Sequence, residues 1–279
     1  MKHSSLNIGK MKKQSPWWLN FSDKLAGGGF GSFFRGTLPD STVIVKQFRT
    51  KVSTIRIIQH MNLARLRGFC SEENGSLDSH IFHANESKVL EWKTRYEIAL
   101  RIARGLSNLH KKCTDCIIHC DIKPEDILLD AEFCPKVGDF GLAKLVGSDF
   151  SRVLTTMRGT RGYLTLEWIS GVAITAKADV YSYGMVLFEL VSGRRSSEIS
   201  EDEKVKYFPS LAPRVTIDRG DILGLLDSPL ERNADVEERL KICKVACWCT
   251  QDDENTGPSM GQVVQILEGL MDVNMPPLP

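Results

Sequence analysis

The sequence predicts an α+β molecule, with a small strand-bearing N-terminal part and a larger, mainly helical C-terminal part. Two observations carry this expectation. A glycine-rich turn, Leu25-Ala26-Gly27-Gly28-Gly29-Phe30-Gly31, precedes the β-branched run Thr42–Val45, which ends at Lys46. From Trp92 onward, apolar residues recur at spacings of three and four, the pattern of amphipathic helices. The change from one pattern to the other falls near residues 72 to 78. A length of 279 residues suits one two-lobed domain or two small ones, and 42% apolar with 25% charged residues argues against disorder.

Taken in order, residues 1 to 22 contain Lys2, Lys10, Lys12 and Lys13 without one acidic residue, then Trp17-Trp18-Leu19 and Phe21. This basic, aromatic leader reads as an arm whose aromatics pack on the domain; contact with a membrane surface is the alternative. Residues 47 to 69 mix basic and apolar positions and predict a helix. Trp92, Tyr96, Ala99, Ile102, Leu106 and Leu109 mark a long helix that ends near His110. Asp179 to Ser192 is almost wholly apolar, so it predicts a buried central helix with Asp179 placed to cap it. Val236, Leu240, Cys243 and Cys247 mark another helix. Pro258-Ser259 opens a last one carrying Val263, Val264, Leu267 and Leu270.

Bulk properties narrow the function classes. The net charge of +1 gives no whole-chain field for nucleic acid or an anionic membrane. No stretch approaches the roughly 20 apolar residues of a membrane span, so the chain as given is expected to be cytoplasmic. Among eight cysteines, Cys113 and Cys116 form one C-x-x-C, whereas a zinc ribbon needs two. Buried free thiols in a reducing compartment are the expected state.

The chemistry concentrates in the run HCDIKPEDILLD from His119 to Asp130 and in Asp139-Phe140-Gly141. Acidic residues and one lysine at this spacing supply what phosphoryl transfer requires: a base for a hydroxyl, a cation for phosphate and carboxylates for metal. Together with NFSDKL at Asn20–Leu25, FCPKV at Phe133–Val137 and WISGVAITAKADVYSYG at Trp168–Gly184, these residues resemble the eukaryotic protein kinase family over about residues 20 to 272. The resemblance is in particular to plant S-receptor-like serine/threonine receptor kinases with lectin ectodomains.

The resemblance implies a protein-kinase-like two-lobed fold. Residues 1–19 would be an N-terminal arm, 20–75 a truncated N-terminal lobe, 76–272 the C-terminal lobe and 273–279 a proline-rich tail. It implies ATP-dependent phosphoryl transfer to protein serine or threonine hydroxyls, with ATP and Mg²⁺ as cofactors. Asp121 matches the catalytic aspartate that orients the substrate hydroxyl, and Lys123 the lysine that steadies the transferred group. Asp126 and Asp139 would hold Mg²⁺, with Asp126 standing where the family has asparagine. Leu25, Gly27, Gly28, Gly29, Gly31 and Phe33 would form the loop over ATP, where glycines let N–H groups approach the phosphates. Lys46 would grip the α- and β-phosphates. Thr160 belongs to the substrate-facing segment, and Ser148, Ser151, Thr155 and Thr156 are candidate phosphosites. Cys120 replaces an arginine, which removes one partner for a phosphorylated activation segment. A protein substrate or signalling partner is implied, with no nucleic acid and no membrane span, on the cytoplasmic side of the plasma membrane in family members.

The pattern also departs from the family. Ala26 replaces the first glycine of the loop, and Phe33 replaces a valine. No acidic residue occurs between Asp40 and Glu72, and Lys51 stands where a glutamate should pair with Lys46. A complete lobe needs roughly 40 or more residues between its lysine and the lobe boundary. Lys46 to Asn74 provides fewer, so a strand and the hinge look deleted. Thr165-Leu166-Glu167 replaces Ala-Pro-Glu, and Gly257 stands where an arginine would pair with that glutamate. Two expectations follow: a kinase of impaired activity, or an inactive pseudokinase that serves as an interaction module or is a decayed gene copy.

Overall fold

The computed structural model describes residues 21–28, 31–38, 41–47, 60–63, 75–82, 90–111, 116–146, 152–153, 159–195 and 235–273. The N-terminal arm, residues 48–59 and the candidate phosphosites Ser148, Ser151, Thr155 and Thr156 lie outside them. Of the helix expected over 47–69, the described residues 60–63 form a turn and a bridge from Leu63 to Val137 instead.

Three strands open the described chain: β1 (Phe21–Gly28), β2 (Gly31–Leu38) and β3 (Ser41–Gln47). They pair antiparallel in the order β1-β2-β3. Gly28 faces Gly31 across the first turn, and Phe33 faces Lys46 across the second pair. The β1–β2 register slips between Lys24 and Ala26, so Leu25 is an extra residue in its strand, as in a β-bulge. The expected strand at Thr42–Val45 is therefore present, with one or two more residues at each end.

Helices dominate the remainder. After α1 (Leu77–Ile81) comes α2 (Trp92–Lys111), whose Ile98, Ala99, Ile102, Leu106 and Leu109 are fully or almost fully buried. Tyr96 of the same periodic set is half-buried, because its hydroxyl donates to the Leu267 carbonyl at 2.8 Å. Four short strands follow, β4 (Cys116–Ile118), β5 (Ile127–Leu129), β6 (Pro135–Val137) and β7 (Lys144–Val146). β4 pairs with β7 and β5 with β6, both antiparallel. These two ribbons hold the segments between them in short reversals, which is what places the acidic residues.

A short α3 (Leu166–Ile169) precedes α4 (Lys177–Ser192), then α5 (Val236–Cys249) and α6 (Met260–Leu267). Burial runs right round α4, as a helix with so few charges requires. Gly193 in the left-handed region, φ 66°, ends it with an N–H donated to Glu189 O. Gly184 lets α5 come close: a Cβ there would meet Cys249 Cβ at 2.8 Å and Ala246 O at 3.1 Å. Ser259 caps α6 in a reciprocal capping box with Gln262. Leu270, expected on this helix, lies beyond its end and is 74% exposed.

The main core joins residues of α2, α4, α5 and α6, and a smaller cluster gathers Ile118, Cys120, Val146, Trp168, Ile174 and Ala178. Cys120, Cys243 and Cys249 are buried free thiols, Cys247 is buried beside them, and burial pushes the Cys243 thiol up to about 12. Cys116 and Cys134 are partly exposed, and Cys113 lies outside the described residues. Among the described residues no helix is long and apolar enough to cross a membrane.

Candidate active site

The run from His119 to Asp130 leaves β4, makes a sharp reversal and enters β5 through a 3₁₀ turn at Pro124–Asp126. The reversal passes through Cys120 at φ 70°, a conformation that costs a non-glycine residue roughly 1–2 kcal/mol. Asp179 offsets it. Its Oδ2 accepts from His119 N at 2.7 Å and lies 3.0 Å from His110 Nε2, while Oδ1 accepts from Cys120 N at 2.8 Å. Burial alone would raise the Asp179 carboxyl; the His110 hydrogen bond and the nearby histidines reverse this and hold it below its ordinary value. The expected cap role is thus corrected. The position before α4 is Ala176, and Asp179, in the first turn, points its carboxylate at the catalytic run instead.

Asp121 sits just past this clamp. Its Oδ1 accepts from Thr160 Oγ1 at 2.8 Å, and its Oδ2 from Lys123 Nζ at 2.9 Å. Lys123 Nζ also reaches Thr160 Oγ1 at 2.8 Å and lies 3.3 Å from Asp126 Oδ2. Burial tends to lower the lysine, but Asp126 and Asp121 outweigh it and keep the ammonium charged. Three residues singled out in the sequence, Asp121, Asp126 and Thr160, therefore converge on the nitrogen of a fourth, Lys123.

Asp126 and Asp139 are brought together by main chain. Gly138 N donates to Asp126 O at 2.8 Å, and the His119 ring lies 2.6 Å from Gly138 O through Nε2 and packs on Phe140 with centroids 4.7 Å apart. Asp139 follows at φ 49°, with Oδ1 accepting from Gly141 N at 3.3 Å. Burial first, then the charges of Asp139 and Asp121, lift the Asp126 carboxyl to about 7 against the opposing pull of Lys123. Its Oδ2 is buried, with the Lys123 ammonium 3.3 Å away. Two hard carboxylates fit Mg²⁺, which takes one or two carboxylates plus phosphate oxygens and water.

The nucleotide-loop candidates stand apart in what can be said of them. Leu25, Gly27 and Gly28 lie in β1, Gly31 and Phe33 in β2 and Lys46 in β3, so one antiparallel sheet holds their backbones. Gly29 and Lys51 lie outside the described residues. Glu167 is half-buried, and no hydrogen bond or ion pair reaches its carboxylate among the described residues. Gly257 does provide a partner, but to another residue: its carbonyl accepts from Lys177 Nζ at 2.6 Å.

Two contacts near the site were not read from the sequence. One is the Asp179 clamp; an acid inside an apolar run signals a buried charge that needs donors, which could have found it. The other is Arg195, just past α4, which pairs with Glu125 of the 3₁₀ turn, lies 3.6 Å from Asp78 of α1 and stacks on Phe82 at 4.3 Å. No local pattern announces that contact.

Comparison with known proteins agrees with the geometry. The protein kinase domain model matches residues 38–266. A G-type lectin S-receptor-like serine/threonine-protein kinase of Arabidopsis thaliana is 64% identical over 93% of this chain and 34% of its own length. A second protein so described in Arabidopsis thaliana is 49% identical over 93% of this chain and 36% of its own length. A putative receptor protein kinase of Zea mays is 39% identical over 88% of this chain and 34% of its own length. The chain thus spans about a third of the length of these curated relatives. The first alignment runs over 285 residues, but 93% of 279 residues is about 260, so about 25 residues of that relative have no counterpart here. With the protein kinase domain model matching residues 38–266 and a relative 64% identical over 93% of the chain, the chain belongs to the protein kinase family.

Proposed function

We propose that the chain is the kinase domain of a receptor-like serine/threonine-protein kinase, transferring the γ-phosphoryl group of ATP to a protein hydroxyl at a reduced rate. The observation that carries this reading is the Asp121, Lys123 and Thr160 network. In the proposed step the substrate hydroxyl oxygen bonds to the γ-phosphorus, the bond to the β–γ bridging oxygen breaks, and ADP leaves. Asp121 takes the proton from that hydroxyl. The hydroxyl displaces Thr160 from Asp121 Oδ1, and Lys123 supplies positive charge to the transferring oxygens. Bound Mg²⁺, held by Asp126 and Asp139, would neutralise phosphate charge.

The reduction in rate rests on the N-terminal part. We assign residues 20–75 to a shortened N-terminal lobe and 76–272 to the C-terminal lobe, with 1–19 and 273–279 as flanking arm and tail. No acidic residue occurs from 41 to 71, so that stretch offers Lys46 no carboxylate partner, and the chain is about 25 residues shorter than the relative over the aligned span. Asp126 in place of asparagine adds a negative charge beside Asp139. These same observations favour a second reading, a pseudokinase whose helical part is a protein-binding surface. Protein partners and a position on the cytoplasmic side of the plasma membrane belong to both readings.

Thermal melting with millimolar Mg-ATP separates the two. A bound nucleotide raises Tm, since a ligand of the native state alone stabilises it. Incorporation of labelled phosphate that falls by about 10²-fold or more in Asp121→Asn supports the kinase. No Tm shift and no Asp121-dependent incorporation would leave the pseudokinase reading.

A further inference from the structure

Arg195 lies two residues past Gly193, the glycine that ends α4, and the phosphoryl-transfer step makes no use of it. Its guanidinium meets three separate parts of the chain. Nη1 pairs with Glu125 Oε1, Nη2 lies 3.6 Å from Asp78 Oδ2, and the central carbon stands 4.3 Å from the centroid of the Phe82 ring. Glu125 is the middle residue of the Pro124–Asp126 turn, Asp78 belongs to α1, and Phe82 ends that helix. One flat cation thus joins the end of α4, α1 and the turn that carries Asp126.

Stability does not account for this contact. Side-chain exposure is 26% for Arg195 and 35% for Glu125, and ion pairs so open to solvent contribute little to folding. Position accounts for it better. Main chain holds Asp126 through Gly138 N, and side chain holds the preceding residue, Glu125, through Arg195, so the turn is pinned twice. Glu125 Oε2 is buried without a hydrogen-bond donor among the described residues, so the carboxylate is held through Oε1. Without Arg195 that carboxylate must turn toward water for its donors, and the Asp126 backbone moves with it. A guanidinium can pair in its plane while its face covers Phe82, which an ammonium cannot do at once.

We propose that Arg195 is a positioning residue: through Glu125 it fixes where Asp126 presents its carboxylate to Mg²⁺, and through Asp78 and Phe82 it braces that turn against α1. This role rests on the reading of Asp126 and Asp139 as the residues that hold Mg²⁺ with ATP. Residues that orient a metal ligand without touching the ion typically change metal affinity by about 10–100-fold. Arg195 acts one residue further out, through the backbone of the turn, which places its effect at the lower end.

The test is thermal melting of the full chain at a fixed millimolar concentration of ATP while free Mg²⁺ is raised, reading the Mg²⁺ concentration at half of the Tm rise. Arg195→Gln should move this midpoint up about tenfold and lower the ligand-free Tm by no more than about 2 °C. Glu125→Gln should move the midpoint equally. The double variant should match either single one, because both remove the same contact, whereas independent effects would multiply. Arg194→Gln removes the same charge at the exposed neighbour and should leave the midpoint in place. A loss of packing alone would lower the ligand-free Tm without moving the midpoint. Should Arg195→Gln fold poorly, Glu125→Gln carries the test, and an unmoved midpoint there overturns the role as well. A parent chain without any Mg²⁺-dependent rise removes the Mg-ATP reading and this role with it. With a responding parent, a midpoint within about twofold of it in Arg195→Gln, a multiplied shift in the double variant or an equal shift in Arg194→Gln would overturn the positioning role alone.

Discussion

Asp179 and Glu167 are two carboxylates borne on helices that flank the same small cluster, and they live in opposite surroundings. Asp179 is fully buried and receives two main-chain N–H groups and a histidine. Glu167 is half-buried beside a pocket and receives nothing among the described residues. The acid with the deeper burial is the better stabilised, because donors rather than depth decide whether a buried charge is tolerated. A strained turn at Cys120 persists where donors are plentiful, and a cavity persists where they are missing.

Removing the donors' target should have the largest effect. Asp179→Ala leaves two buried N–H groups and His110 unanswered, and should cost about 3–5 kcal/mol of stability in urea titration. A cost under about 1 kcal/mol would show that the loop holds its shape without the clamp. The same contrast has a pH signature. The folded Asp179 carboxyl is depressed, so its contribution is present above the unfolded value near 4 and is lost as pH falls through the lower folded value.

Asp126 runs the other way. Its folded carboxyl is raised to about 7, so the folded state binds a proton that the unfolded state has released between about pH 4 and 7. Stability therefore declines over that window as pH rises. Asp126→Asn should be more stable than the parent by about 1–2 kcal/mol at pH 8, with the difference gone below about pH 4. Equal pH profiles for the two proteins would remove Asp126 as the cause. Smallest of all, Glu167→Gln should change stability by no more than about 0.5 kcal/mol in the same titration, because it breaks no contact. A loss near 3 kcal/mol would reveal a partner and erase the contrast with Asp179.

How far the sequence could be read follows the same division. α2 and α5 were legible because burial imposes a period, which Ile98, Ile102 and Leu106 obey in α2, and α4 because its run is almost wholly apolar. The convergence of Asp121, Lys123 and Asp126 was legible because five or six residues of one turn cannot separate far. Asp179 was seen but given the wrong partner. A helix-start acid looks the same whether it caps its own helix or clamps a loop 59 or 60 residues away, and only tertiary contact decides. Leu270 failed for a local reason. Helix α6 ends at Leu267, and Gly269 follows at φ 75°, turning the next residue into solvent. Arg195 was invisible, since its contacts with Glu125 and Asp78 join three separate parts of the chain.

The hydrogen bond from Gly138 N to Asp126 O has a meaning beyond the fold. It works as the pivot of a caliper whose jaws are Asp126 and Asp139, and the pivot is peptide, not side chain. Substitutions at either jaw change the charge presented to an ion but leave the hinge between them in place. A lineage could therefore lose the reaction one side chain at a time while the gauge that once measured the ion stays set.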